Sequence, residues 1–460
     1  MNVHDHHHDD HHDDHHDLLA RRAAGLAPSY QLFYDDPIHL VRGEGVWVYD
    51  ADGRRYLDCY NNVPSVGHAH PDVVKALTRQ ASLINTHTRY LHENVVELAE
   101  RLGASLPGDL GMCYFVCTGT EANDLAVQIA RSVTGNHGVI VTESSYHGNS
   151  DLVGKLSTDT YPESDRPDWL GVVEPPNLYR GPVDLGSADT DTDIDPGQSY
   201  ADFVTHAAEQ LDDAGHGVAA MLVDSSWDSN GVLIAPHDYL SRASEIVDSH
   251  GGLVIADEVQ SGYCRMGGHF WGHTHYGITP DIVTIGKPMG AGHPVAAVVT
   301  TPEIAAAFAE RRNYFNTFGG NPVSAAVSLA VLDVIDDEQL LDNATETGAE
   351  LGLALSEIAN RHEIVGAVQG RGLFWGLDLV TDRATREPIG YSDAKRIATE
   401  LRHRGILAGV TGRHDNVLKI RPSLVFQPEH VEMLVTELDA LLDDFELRGG
   451  DDTKAPGAEW

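Results

Sequence analysis

The sequence predicts an α/β protein with a mostly parallel sheet. Between residues 112 and 300, short apolar runs alternate with amphipathic segments, a pattern typical of parallel strands joined by helices. The runs LVIA (253–256) and DIVTI (281–285) are almost wholly apolar, as strands buried on both faces are. Asp257 ends the first run, and Lys287 closely follows the second. Because ligands bind beyond the carboxyl ends of such strands, we expect both residues at one crevice.

The composition narrows the class of protein. The 460 residues include 70 acidic and 31 basic residues, a net charge of −39, which argues against nucleic acid or an anionic membrane as a partner. Such a surface fits a salt-adapted protein, and an acidic protein from a mesophile is the alternative. No apolar run reaches the 18 residues of a membrane span and no signal-peptide pattern occurs, so a cytoplasmic location is predicted. The four cysteines lack metal-ligand spacing apart from the CYFVC pair, which is expected in the core; no metal site is predicted.

Changes in pattern along the chain divide it into five segments. The length predicts more than one domain. The predicted segments are a disordered His/Asp-rich tail (1–17), an arm with part of a small domain (18–70), a large ligand-binding domain (71–337), a C-terminal small α+β domain (338–446) and a polar tail (447–460). Weak metal binding by the first tail is left open. A long loop is expected at 144–200, with 155–200 its least structured part.

A lysine and a carboxylate at neighbouring strand ends suggest a carbonyl cofactor. Lysine forms Schiff bases, and a pyridoxal ring needs a lysine at its aldehyde and an acid at its pyridine nitrogen. An ordinary salt bridge between Asp257 and Lys287 is the simpler alternative. The residues around them decide against it.

Three further motifs lie near predicted strand ends or helix starts. CTGTEAND (117–124) joins a strand to a helix, and Gly119, Thr120 and the first helical amides could hold a phosphate. YHG (146–148) carries an aromatic ring suited to stacking, and NTFGGNP (316–322) carries a hydroxyl. Each motif is weak evidence by itself, since helix caps, core aromatics and turns look alike.

Together with DEVQSGYCRMG (257–267) and GKPMGAGHP (286–294), these motifs resemble the class III pyridoxal-phosphate aminotransferases of fold type I. The resemblance runs from about residue 30 to 445, in order and spacing. It implies a large domain with a mostly parallel seven-stranded sheet, a smaller α+β domain, pyridoxal 5'-phosphate as cofactor, and a homodimer with shared sites, with a tetramer left open.

The resemblance also implies residue roles. Lys287 forms the Schiff base and moves the proton, while Asp257 pairs with the pyridine nitrogen. The other implied cofactor contacts are Gly119 and Thr120 (phosphate), Tyr146 and Val259 (opposite ring faces), Gln260 (ring 3-oxygen), His147 (beside the cofactor), Asp224 (at the position of a family glutamate) and Thr317 (phosphate, from the neighbouring subunit).

Residues 61–71, 84–102 and 280–301 resemble the branch that contains ethanolamine-phosphate and phosphohydroxylysine phospho-lyases. Two departures bear on the substrate. LSTDTYPESD (156–165) replaces a basic segment of the phospho-lyases, which disfavours a phosphorylated substrate. In DSSWDSNG (224–231), Ser229 stands where ornithine-type members have a glutamate that gates a carboxylate-binding arginine.

That family arginine aligns nearest Lys419, with Arg421 two residues on. One of them is expected to bind a substrate carboxylate or phosphate, and a salt bridge at the strand edge is an equal alternative. The predicted function is transfer of an amino group from an amino acid or ω-amine to a 2-oxo acid. A lyase acting on an amino-alkyl phosphate or phosphonate is the alternative, and a non-catalytic binding protein is disfavoured by the intact set of cofactor residues.

Overall fold

A computed structural model of the chain describes residues 11–34, 36–183 and 194–447. Residues 1–10 and 448–460 of the two predicted tails lie outside this description. Residues 11–17 belong to a helix, His11–Gly25, so the expected disorder is wrong for them. The helix continues into LLARRAA, whose leucine, alanine and arginine residues favour helix. No helix in the described ranges has the length and apolar character needed to cross a bilayer.

The described ranges contain twelve α-helices and sixteen strands. The helices are α1 (His11–Gly25), α2 (Pro71–Ala81), α3 (Glu93–Ser105), α4 (Gly119–Thr134), α5 (Asp151–Gly154), α6 (Pro196–Asp213), α7 (Tyr239–Ser249), α8 (Pro302–Arg311), α9 (Pro322–Asp337), α10 (Leu340–Arg361), α11 (Tyr391–His403) and α12 (Pro428–Leu447). The strands are β1 (Leu40–Glu44), β2 (Trp47–Asp50), β3 (Arg55–Asp58), β4 (Met112–Val116), β5 (Gly138–Thr142), β6 (Leu170–Val173), β7 (Val218–Val223), β8 (Leu253–Asp257), β9 (Ile282–Ile285), β10 (Ala296–Thr300), β11 (Val365–Arg371), β12 (Phe374–Asp382), β13 (Glu387–Pro388), β14 (Ile406–Leu407), β15 (Gly409–Thr411) and β16 (Val417–Ile420).

The central sheet has seven strands in the order β4-β10-β9-β8-β7-β5-β6. All neighbouring pairs among β9, β8, β7, β5 and β6 are parallel, and β10 is antiparallel to both β4 and β9. The six residues of β7 are all buried, as its unbroken apolar run predicts. The predicted mostly parallel seven-stranded sheet is therefore confirmed.

The strand register brings the two reactive residues to one sheet edge. Asp257, the last residue of β8, pairs with Thr284 of β9. Lys287 comes three residues after Thr284, in a 3₁₀ turn (Lys287–Gly290). Because the two strands are parallel, their carboxyl ends meet, and residues 30 positions apart in sequence share one crevice.

Two smaller sheets flank the main one. One has the order β1-β2-β3-β14, and its parallel β3–β14 pair joins the N-terminal strands to the C-terminal part of the chain. The other has the order β11-β12-β16-β15, with β13 paired to β12. Strand β16 carries Lys419 and leads directly to Arg421. The proposed domain boundaries remain a prediction.

The segment expected as one long loop is more ordered than its composition suggested. It contains α5, strand β6 and the start of α6, and residues 184–193 lie outside the described part. Strand β6 is only four residues long and sits at the sheet edge beside β5, which leaves little periodic signal. Helix α6 begins after Asp195, whose side chain accepts a hydrogen bond from the Gln198 amide and caps the helix.

Candidate active site

A cavity of about 190 Å³ lies at the carboxyl ends of the central strands. Its lining is Thr118, Gly119, Thr120, Asn123, Tyr146, His147, Gly148, Asp224, Asp257, Val259, Gln260 and Lys287. Of the residues predicted for the site, this lining leaves out Thr317, Lys419 and Arg421. The structure therefore gathers residues from five separate chain segments around one small space.

Asp257 is buried, with 4% of its surface exposed, and no lysine or arginine binds its carboxylate in the described part of the chain. Its Oδ2 accepts from Asn123 Nδ2 at 2.8 Å and lies 2.8 Å from His147 Nδ1. Its Oδ1 accepts the Val259 amide at 3.1 Å. A carboxylate oxygen takes about two hydrogen bonds, so Oδ1 retains capacity for one more donor.

The His147 ring is the second support of this acid. Its side chain is almost wholly buried, and its Nε2 has no hydrogen-bond partner in the described structure. Its backbone amide donates to Ser157 Oγ at 2.9 Å, which fixes the loop that presents the ring. Because Nδ1 faces the Asp257 carboxylate, a neutral ring must carry its proton on Nδ1.

The start of α4 forms the predicted anion cup. Thr118 caps the helix by accepting the Glu121 amide, which leaves the amides of Gly119 and Thr120 available. A Cβ at Gly119 would lie 3.1 Å from the Val259 side chain, tighter than most real contacts, and one at Gly148 would lie 2.7 Å from Thr120 Oγ1. Glycines thus keep the cup open, and the positive end of a 16-residue helix favours an anion there.

Lys287 is partly buried, and its amine has no hydrogen-bond or ion-pair partner among the described residues. Burial lowers the pKa of Lys287, and the nearby charge of Arg421 lowers it further, while Asp228 and Asp257 oppose the shift. An amine with a lowered pKa is more often neutral near pH 7, as a nucleophile or a base must be.

Two side chains offer apolar surface to the cavity. Val259 is buried and packs over Gly119 and Gly286, where added Cβ atoms would lie 3.1 and 3.2 Å from its methyl groups. Tyr146 is 44% exposed, so much of its ring is open. This arrangement is compatible with the predicted packing of Val259 and Tyr146 on a flat ring, and their roles stay predictions.

Lys419 and Arg421 belong to a buried ion cluster around Asp228. Lys419 Nζ lies 3.0 Å from one Asp228 carboxylate oxygen, and Arg421 Nη1 lies 3.2 Å from the other. Burial alone would raise the pKa of Asp228, but the charges of Lys419 and Arg421 outweigh it and bring the pKa to about 2. Burial lowers the pKa of Lys419 despite this partner. The cluster is ionised, because its carboxylate accepts from both cations.

Gln260 connects this cluster to the cavity. Its Nε2 donates to Asp228 Oδ2 at 2.5 Å. Its Oε1 accepts from Arg421 Nη1 at 2.8 Å and from Asn62 Nδ2 at 2.9 Å. The amide is therefore held from both ends.

Asp224 shapes the loop that carries Asp228. Its Oδ1 accepts the Ser226 amide and hydroxyl, and its Oδ2 accepts the Asp228 amide at 3.0 Å. Burial, and secondarily the charge of Asp257, raises the pKa of Asp224 to about 6. Asp224 is thus a local organiser as well as part of the cavity wall.

Thr317 lies away from the cavity of its own chain. It is exposed, and its neighbour Phe318 is 70% exposed. Its predicted contact with phosphate would have to be made in a second subunit.

Three polar residues around the site were not identified from the sequence: Asn123, Asn62 and Asp228. Asn123 links Asp257 to Thr284, whose hydroxyl donates to Asn123 Oδ1 at 2.6 Å. Asn123 lies within the CTGTEAND motif, but the sequence does not show that its side chain reaches Asp257. Asp228 lies one residue before Ser229, the position that aligns with the gating glutamate of ornithine-type members.

Comparison with known proteins identifies the family. The family model for aminotransferase class-III matches residues 32–442. The chain belongs to the class III aminotransferases. The match covers most of the chain, so the family assignment applies to the fold and to the cofactor site together.

Relatives of this class III enzyme carry out different reactions according to their names. It is 39% identical to ethanolamine-phosphate phospho-lyase homolog 1 of Caenorhabditis elegans, over 92% of this chain and 93% of that protein. It is 35% identical to the mitochondrial alanine–glyoxylate aminotransferase 2 of Homo sapiens, over 89% and 83%. A solved phospholyase from Arthrobacter, in complex with phosphoethanolamine, is 42% identical with a TM-score of 0.88, over 93% and 99%. The predicted fold type I is confirmed.

Class III aminotransferases use pyridoxal phosphate, and the residues of this chain fit that group. Asp257 Oδ1 has capacity for a protonated ring nitrogen. The amides at Gly119 and Thr120 fit the phosphate, and Lys287 has a free amine for the aldehyde. When bound, the cofactor supplies an electron sink for the substrate's Cα.

Proposed function

We propose that this class III enzyme is a lyase that removes phosphate from a small amino-alkyl phosphate. The observation that carries the proposal is the state of the two cations nearest Lys287. Arg421 uses Nε and Nη2 on the Tyr60 carbonyl oxygen, and Nη1 on Asp228 and Gln260. Four of its five N–H groups are thus occupied, and it cannot grip a carboxylate with two parallel bonds.

Lys419 is the second cation of the cluster and is less fully bonded than Arg421. It is 8% exposed, and of its three N–H donors one is used, on Asp228. Within the cluster of Lys419, Arg421 and Asp228, two positive charges are in contact with one negative charge, and Asp224 acts on Lys419 more weakly from outside the cluster. A single lysine suits a phosphate as a point charge, whereas recognition of an α-carboxylate usually uses a free arginine.

The chain's residues divide the elimination between them. Lys287, with its lowered pKa, accepts the proton from Cα. The Cβ–O bond then breaks, and its electron pair leaves on phosphate, whose charge Lys419 stabilises in this proposal. Water converts the released product to an aldehyde and ammonia, so the sum consumes one amine phosphate and one water.

An aminotransferase is the second candidate, and residues 155–166 favour it. Lys155 pairs with Asp151 at 2.9 Å, and Arg166 binds Glu143 through two contacts of 2.7 Å. Both cations therefore pair with acids, and neither belongs to the lining of the cavity. An aminotransferase that uses an amine without phosphate and a 2-oxo acid would not need a phosphate-binding cation.

One assay separates the two reactions. The purified holoenzyme is incubated with phosphoethanolamine, with and without pyruvate, glyoxylate or 2-oxoglutarate, and phosphate and ammonia are measured. The lyase releases both in equal amounts without an acceptor, and Lys287→Ala is the inactive control. Turnover that requires a 2-oxo acid, with conversion of the cofactor to its pyridoxamine form and no phosphate release, would establish the aminotransferase instead.

We also propose a homodimer whose active sites are shared. Exposed apolar side chains occur in the segment 83–91 and in the segment that carries Thr317: Leu83, Ile84, Tyr90, Leu91, Phe315 and Phe318. Leu91 is 99% exposed, and the His87 ring lies 5.2 Å from Tyr90 and 5.7 Å from Phe315, so the two segments form one surface. Apolar patches of this kind mark interfaces between proteins.

Sedimentation equilibrium is expected to give at least twice the chain mass of 49.9 kDa, and a tetramer would give four times that mass. Leu91→Asp should dissociate the oligomer and weaken cofactor binding. A fully active monomer would contradict shared sites.

A salt-adapted enzyme is a further proposal, supported by the net charge of −39, and the cytoplasmic location stays a prediction. Like charges on the surface repel, and salt screens that repulsion. The unfolding temperature is therefore expected to rise with KCl concentration. A temperature that is flat or falls with salt would argue against the adaptation.

A further inference from the structure

The side-chain amide of Gln260 has a single orientation that its partners permit. Asp228 is ionised and can only accept, so the group facing it must be the Nε2 amine, 2.5 Å away. Arg421 can only donate, so the group facing it must be Oε1, 2.8 Å away. Unlike most glutamine amides, this one cannot be flipped without placing donor against donor and acceptor against acceptor.

The same contacts use up most of what Gln260 can offer. Its Oε1 has two acceptor sites, and Arg421 and Asn62 take both. Its Nε2 has two N–H groups, and Asp228 takes one. Because Gln260 lines the cavity, what it has left to present there is one N–H donor.

We propose that Asp228 is a positioning residue that makes Gln260 a hydrogen-bond donor toward the cofactor's 3-oxygen. That oxygen carries negative charge, which a donor stabilises and an acceptor would repel. Asn62 assists by occupying Oε1 together with Arg421. The proposal concerns the cofactor and holds for a lyase or an aminotransferase. It rests on the predicted placement of Gln260 at the 3-oxygen, which the experiment tests separately.

The burial of the network supports a fixed geometry. Asn62 is 1%, Asp228 5% and Arg421 5% exposed, so water does not compete for these bonds. The Tyr60 carbonyl oxygen anchors the Arg421 guanidinium at 3.2 and 3.1 Å from the other side. A rearranged Gln260 amide would therefore have to break bonds to several partners that cannot find replacements.

The readout is the pH midpoint at which the visible absorbance of the bound cofactor changes in the holoenzyme. A donor on the 3-oxygen draws negative charge from it and weakens its hold on the proton of the neighbouring nitrogen. Loss of the donor therefore raises the midpoint. Gln260→Met, which removes the amide at similar volume, is expected to raise it by about 0.5–1 pH unit, the equivalent of one net hydrogen bond.

A double-mutant cycle isolates the contribution of Asp228. Asp228→Asn also removes a negative charge, which by itself lowers the midpoint. In the Gln260→Met background only this charge effect remains. With Gln260 present, Asp228→Asn also releases the Gln260 amide, which raises the midpoint. The midpoint change should therefore be about 0.5 pH unit more positive in the parent than in the Gln260→Met background. Equal changes in the two backgrounds would overturn the proposal.

Asn62→Ala is the neutral companion variant, and it serves if Asp228→Asn does not fold. It frees an acceptor site on Oε1 without changing any charge, while Asp228 and Arg421 still fix the amide, so the midpoint should stay unchanged. A rise as large as that of Gln260→Met would overturn the proposal, because Asn62 and not Asp228 would then orient the amide. If Gln260→Met itself leaves the midpoint unchanged, Gln260 does not contact the 3-oxygen and the premise fails.

Discussion

Two neighbouring regions of this enzyme treat charge in opposite ways. In the cofactor cavity, Asp257 has no lysine or arginine partner and Lys287 has no partner at all among the described residues. In the adjoining cluster, Asp228 binds both Lys419 and Arg421. Both regions are buried and lie beside the same Gln260.

The difference separates groups that react from groups that hold position. A reactive amine or acid must keep bonding capacity for the cofactor, so its environment leaves it incompletely paired. A positioning charge is most useful when all its bonds are made, because its neighbours are then fixed. Lys419 stands between these cases, since it is paired but retains unused donors.

The strongest test of the cofactor cavity is Lys287→Ala. Loss of the amine should remove the visible absorbance of the bound cofactor and lower turnover by at least about 10³-fold, because both covalent attachment and proton transfer are lost. Absorbance spectra and steady-state rates measure this. Lys155→Ala, at a partly exposed pair with Asp151, should leave both unchanged. Comparable turnover in the Lys287 variant would remove the lysine from the mechanism.

The next test contrasts the two cations of the cluster. Lys419→Met should raise KM for phosphoethanolamine by about 10- to 100-fold, the loss expected for a hydrogen bond to a charged group. Arg421→Met breaks the buried ion pair with Asp228 and leaves the Tyr60 carbonyl oxygen without its side-chain donor, so it should cost about 3–5 kcal/mol of stability. Steady-state kinetics and denaturant unfolding measure the two effects. If Lys419→Met changes stability and not KM, the lysine has a structural role only.

The smallest expected effect concerns the pH dependence of stability. The pKa of Asp228 is about 2, below its ordinary value of 3.8, so its charge stabilises the fold above pH 4 and this contribution is lost as the pH falls toward 2. The size is about 2 kcal/mol. The stability gap between the parent and Asp228→Asn should therefore narrow over that range in denaturant unfolding.

The exposed carboxylate of Asp151 provides the matched control, and Asp151→Asn should change the unfolding free energy by less than about 0.5 kcal/mol at any pH. A gap for Asp228→Asn that does not vary with pH would mean that the Asp228 pKa is not depressed in the fold.

Much of the fold was predictable because its signals are local. The apolar runs at β8 and β9 and the strand-to-helix change at α4 are each contained in a few consecutive residues. Strand β6 and the start of α6 were missed, since four residues at a sheet edge carry little periodicity. Residues 11–17 were expected to be disordered from their composition, but they extend a helix whose favourable residues lie further along the chain.

Short motifs at strand ends and tight turns were enough to predict that Asp257 and Lys287 share one crevice, that a glycine-containing turn precedes α4, and which family the chain belongs to. The sequence could not determine which charges neutralise one another. Asp228, Arg421 and Asn62 are separated by more than 150 residues along the chain in each case, and they meet at Gln260 because β16 and the segment after β3 pack on the loop after β7. That packing gives Arg421 hydrogen bonds to three neighbours, whereas Lys419 donates a hydrogen bond to Asp228 alone among the described residues.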